Sequence, residues 1–72
     1  MVLQKTSSRV RVIIPLKARS VETGEFAMFP KGTVLWHVEP RGEYMRFQEI
    51  GGKSFYEAWE DEFLVSVKNI SR

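Results

Sequence analysis

Cysteine is absent from this 72-residue chain. No disulfide and no thiolate metal site can therefore staple the fold, and the composition suits a reducing compartment. Histidine occurs once, at His37, so a zinc site built from His and Cys ligands is excluded. No apolar run in the opening stretch "MVLQKTSSRVRVIIPLKARS" is long enough for a secretion signal or a membrane span. The expectation is a soluble, cytoplasmic protein without a membrane partner. A large excess of one charge is also missing. The formal net charge is only +2, which leaves a small electrostatic term for nucleic acid.

The remaining composition is that of a folded domain. Hydrophobic residues make up 43% and charged residues 28%, enough for a core. So short a chain allows one domain of marginal stability. Met1 to Ser8 are polar enough to fray, which leaves residues 9–72 for the domain. Charge is unevenly spread. Lys5, Arg9, Arg11, Lys17 and Arg19 all precede the first acid, Glu22, and much of the acid falls late, at Glu57, Glu60, Asp61 and Glu62. Neighbouring strands could neutralise the two groups across a sheet.

Period-two alternation dominates the chain. "RVRVIIPL" sets Val10, Val12 and Ile14 against Arg9, Arg11 and Ile13, a half-buried strand with a basic outer face. Pro15 cannot donate to a ladder, so the strand bends, ends or lies at an edge there, where it could accept an added strand. "KARSVETGEFAMFPKG" carries two turn signals and reads as a long irregular excursion with Phe26, Met28 and Phe29 pinned inside. "TVLWHVE", "EYMRFQEI" and "KSFYEAW" follow as strands, the last two joined by Gly51-Gly52. "FLVSVKNI" is expected as a fifth strand, with Phe63, Val65 and Val67 on one face. Helix has a single contender, "YEAWEDEFL". Its shortness and the β-branched residues after it favour a 3₁₀ turn at Glu60 to Glu62.

About five short antiparallel strands in so small a domain would close into an SH3-like or an OB-type barrel, which hides sheet edges. From Val10 to Val67 the chain resembles SH3-like small barrels. It has a first strand, a long aromatic loop, "FPKGTVLWHV" at the turn and second strand, a meander through "EYMRFQEIGGKSFYEAW", and a short turn before "LVSV". The resemblance implies an all-β, SH3-like barrel of about five antiparallel strands with a 3₁₀ turn before the last. The first loop lacks the tyrosines of peptide-binding SH3 domains, and "EAWEDEF" holds no proline in the last turn. The likeness therefore concerns fold and assigns no function.

Catalytic chemistry has little foothold. His37 and Glu39 lie on one side of a strand, but no nucleophile is marked beside them, and a surface histidine is the plainer reading. The acids at 57 and 60–62 lack the Gly-punctuated loop that gathers ligands round a hard cation. Gly51-Gly52 lacks the strand-loop-helix context of a phosphate loop. A non-enzymatic protein without cofactor or metal is expected.

The aromatics carry more. Tyr44 and Arg46 alternate with Met45 and Phe47, so the first pair should face solvent. Tyr56 and Trp59 lie on opposite faces of one strand, and at least one must reach solvent, unless Trp59 caps the core. Trp36 points inward by alternation with Val34 and Val38. A one-residue shift of register would expose it and bury Leu35. Exposed Tyr and Trp beside Arg is the composition of protein-binding hot spots. The leading expectation is a protein-binding accessory or adaptor module, contacting a protein partner or a second copy through Tyr44, Arg46, Tyr56, Trp59 and Trp36. The alternative is nucleic-acid binding through Arg9, Arg11, Lys17, Arg19, Arg46 and Lys53, with bases stacked on an aromatic.

Overall fold

The computed structural model describes residues 9–70. The expected fraying of Met1 to Ser8 lies outside the described residues. Seven strands and one helix follow in order: β1 (Arg9–Val12), β2 (Leu16–Ser20), β3 (Phe26–Phe29), β4 (Val34–Arg41), β5 (Tyr44–Glu49), β6 (Phe55–Trp59), α1 (Glu60–Ser66) and β7 (Val67–Asn69). The strands form one sheet in the order β3-β2-β6-β5-β4-β1-β7. All pairings are antiparallel.

The mostly β character holds, but the closed five-stranded barrel does not. The sheet is open, with β3 and β7 as its ends. It is nevertheless strongly coiled, for a reason of length. Four strand spacings separate β2 from β1 in the sheet order, about 19 Å if laid flat. Only residues 13–15 connect them, a span of at most about 14 Å between Val12 and Leu16. The sheet must curl to bring the two strands within reach. Pro15 lies in this connection, as its missing donor required.

Three expectations about individual elements are corrected. The excursion after Pro15 is a hairpin, because Leu16, Ala18 and Ser20 alternate inward against Lys17 and Arg19. Within it Phe29 is buried, whereas Phe26 and Met28 stand out in solvent. The expected 3₁₀ turn and the first half of the expected fifth strand are one α-helix, and the strand that remains is β7. Glu60, Asp61 and Glu62 crowd its first turn, where acids favour the positive end of the helix dipole. Phe63 and Ser66 are buried at helical spacing, and Leu64 and Val65 are exposed. The amides of Ile13 and Ile14 donate to the Ser66 carbonyl at 2.7 and 3.2 Å, tying the helix end to the β1–β2 bend. Finally, β1 is paired on both sides, with β4 and β7, so it offers no edge for an added strand.

The core lies on the concave face. Val12, Leu16, Leu35, Phe47 and Phe63 are its largest fully buried side chains. Phe47 is at its centre, with ring centroids of Phe63 at 5.4 Å and Phe29 at 5.6 Å. Each such side chain contributes roughly 1.5–3 kcal/mol by leaving water.

Candidate functional site

Side chains opposite one another in an antiparallel pair share a face. On β5 and β6 the outward rungs are Tyr44 with Trp59, Arg46 with Glu57, and Gln48 with Phe55. The next strand adds Arg19 beside Glu57, and β3 adds Phe26 beside Arg19 and Met28 beside Lys17. These outward positions form the candidate surface.

Tyr44 and Trp59 stack on it, with centroids 4.6 Å apart and planes 25° from parallel. Trp59 is 50% exposed, so it does not cap the core. Trp59, Tyr44, Phe26, Lys17 and Arg19 line a shallow depression of about 170 Å³ together with Glu57 and Ala58. The Lys17 ammonium sits 4.8 Å from the Phe26 ring centroid, a cation–π contact that leans the lysine towards β3. On the far side of Trp59 the surface turns acidic. A second concavity there is lined by Gly42, Glu43, Trp59, Glu60, Asp61 and Glu62. The aromatic stack thus stands between a basic and an acidic border.

Arg46 is less available than its sequence position suggested. Its Nε and Nη2 donate to Glu57 Oε2 at 3.2 and 2.9 Å. Arg19 Nη2 lies 4.0 Å from the other carboxylate oxygen. The Glu57 side chain is only 14% exposed, so this carboxylate is part of the sheet's own charge balance.

The structure separates the remaining candidates. Tyr56 is on the concave face, edge-on to Phe29 at 5.0 Å and beside Phe47. It packs against the core and does not join Tyr44 and Trp59. Trp36 is half-buried on the outward face, opposite Arg9 and Gln48. Gln48 and Tyr44 are four residues apart on β5, about 14 Å along the strand, so Trp36 lies away from the stack. The open question of its register is resolved by a bulge. His37 adopts φ 54°, and the pairing shifts between Trp36 and Glu39. Leu35 is therefore buried, Trp36 faces outward, and Val38 packs against the core.

Arg9 and Arg11 are outward on β1, with the Arg9 guanidinium 5.8 Å from the Trp36 ring centroid and Lys68 opposite Arg11. Lys53 is exposed in the β5–β6 hairpin, where its carbonyl accepts from Gln48 Nε2. Lys17 and Arg19, assigned from sequence to a basic groove, instead border the aromatic depression. The residues missed are Phe26 and Met28, whose signal was the alternation in "FAMF".

Glu39 accepts from Arg41 Nη1 at 3.1 Å, while the His37 ring packs against Trp36 at 4.5 Å. Among the described residues no group of three or more His, Asp or Glu side chains is arranged to hold a metal ion. No helix among them is long and apolar enough to cross a membrane. No protein-family model, curated protein or solved structure matches this chain, so its functional reading rests on its own side chains.

Proposed function

We propose that this protein is a non-enzymatic recognition module that binds another protein through the Tyr44–Trp59 stack and its charged borders. The observation that carries this reading is the half-exposed Trp59, held flat against Tyr44 between Lys17 and Arg19 on one side and Glu43 and Glu60 on the other. A rigid aromatic pair can lose its water at little entropic cost. Mixed charge around it suits a polypeptide better than a uniformly anionic ligand. Selection from a displayed library of linear peptides tests the reading. A recovered consensus should bind the native protein and lose about tenfold or more in affinity to Trp59→Ala, with the circular dichroism spectrum unchanged. Undiminished binding to that variant overturns it.

A second reading has its own observation. Arg9, Arg11 and Lys68 lie together on the outward face next to Trp36, a basic cluster with an aromatic. Single-stranded nucleic acid would use these groups, with salt-sensitive affinity that vanishes on Arg9→Glu with Arg11→Glu. No binding of an oligonucleotide at low salt removes this alternative.

A further inference from the structure

The two ends of the sheet are built differently. At one end β7 is three residues long and carries Lys68, the kind of short, charged edge that discourages pairing. At the other end β3 reads Phe-Ala-Met-Phe, with no charge and no proline. Phe26 and Met28 are 64% and 60% exposed. Their backbone groups are turned to the outer side as well. The Ser20 amide donates to the Glu25 carbonyl at 2.8 Å, which fixes the hydrogen-bonding phase of the hairpin. Bonded and non-bonded pairs alternate along an antiparallel ladder. Given the register, Ala18–Ala27 is a bonded pair, while Arg19–Phe26 and Lys17–Met28 are not. The amides and carbonyls of Phe26 and Met28 therefore point away from β2, to the side where no strand among the described residues pairs.

We propose that this edge of β3 takes an added strand from a protein partner, an extended segment with acidic side chains at alternate positions. The proposal rests on the protein-recognition reading above and names the class of partner. Main-chain bonds to Phe26 and Met28 supply the pairing, and side chains on alternate positions supply the choice of sequence. Charge decides the occupant. Lys17 leans over Phe26 towards the open edge, so an acidic side chain on the added strand meets its ammonium. Lys31 follows β3 two residues beyond its end, which favours acid at the Met28 end, whereas Glu25 borders the Phe26 end. A second copy paired through β3 would bring two Lys17 ammonium groups towards one axis, so an acidic segment of another protein fits better.

The test uses a labelled peptide alternating valine with glutamate, and its counterpart alternating valine with lysine, titrated by fluorescence anisotropy. The glutamate peptide should bind about tenfold or more tightly than the lysine peptide, and Lys17→Glu should reverse the order. Met28→Pro removes an outward amide without breaking a bond to β2, and should abolish binding. Should that variant unfold, amide exchange in the native protein decides the same point. Phe26 and Met28 should slow on adding the glutamate peptide, and Ala27, already bonded to β2, should not. Unslowed exchange, or full binding by a folded Met28→Pro, overturns the edge site. A concentration-dependent dimer lost in Met28→Pro would make the occupant a second copy and overturn the acidic partner. If the library-selected ligand is lost to Trp59→Ala but kept by Met28→Pro, the recognition surface stands and the edge proposal falls. If both variants keep it, both fall.

Discussion

Glu57 sits between two arginines and is mostly hidden from water. Its value differs for each partner. Arg46 makes two charge-assisted bonds to one oxygen and is itself largely covered, whereas Arg19 is about half exposed and 4.0 Å away. Glu57→Ala should cost about 1–3 kcal/mol, because it strands the Arg46 guanidinium, while Arg19→Ala should cost less than about 1 kcal/mol. Urea unfolding midpoints read both. A similar contrast applies at His37, which holds a left-handed backbone. A β-branched residue fits such a backbone poorly, so His37→Val should destabilise by about 1–2 kcal/mol and His37→Gly by less. This residue also marks where the sequence was illegible. Alternation through Val34, Trp36 and Val38 assumes an uninterrupted ladder, and nothing in those residue types announces a bulge. By contrast the outward pair Tyr44 and Arg46 was readable, because β5 and β6 run without interruption. What could not be read was that Arg46 is engaged by Glu57, a partner eleven residues away across the hairpin.

At the level of elements, α1 is the instructive departure. Seven residues are too few to hold a helix in isolation, and β-branched Val65 within it favours strand. Tertiary contacts outweigh both preferences. Phe63 is buried, and the Ser66 carbonyl accepts amides from the β1–β2 bend. Helix and strand make opposite demands on one pair of residues. In a strand Phe63 and Val65 would be buried together; in the helix only Phe63 is. Phe63→Ala should therefore cost about 3–5 kcal/mol, and Val65→Ala should stay within about 0.5 kcal/mol, by thermal or urea unfolding. Equal losses would contradict the helix. The β2–β3 hairpin was hidden for another reason. Its turn is fastened by Ser20, whose Oγ accepts from the Glu22 and Thr23 amides at 3.2 Å, a local signal easily taken for loop chemistry. The strands on either side of Gly51-Gly52 had no such ambiguity.

In the whole molecule, short connections link β4, β5 and β6, while β1 must find β4 and β7, and the β2–β3 hairpin must find β6, far along the chain. Closing those long loops costs entropy before any contact rewards it. Folding should then begin in the β4–β5–β6 meander. Phe47→Ala, at its centre, should mainly slow folding, and Val10→Ala, on β1, should mainly speed unfolding, as read by stopped-flow kinetics. The strand order of the sheet has a further result. Bringing β1 beside β7 places the first and last described residues together, and the Ile70 amide donates to the Arg9 carbonyl at 3.0 Å. The described chain is in effect a ring with one link left out. A short linker from residue 70 back to residue 9 would complete it. The ring could then be cut at Gly51-Gly52, and every strand would keep the neighbours it has now.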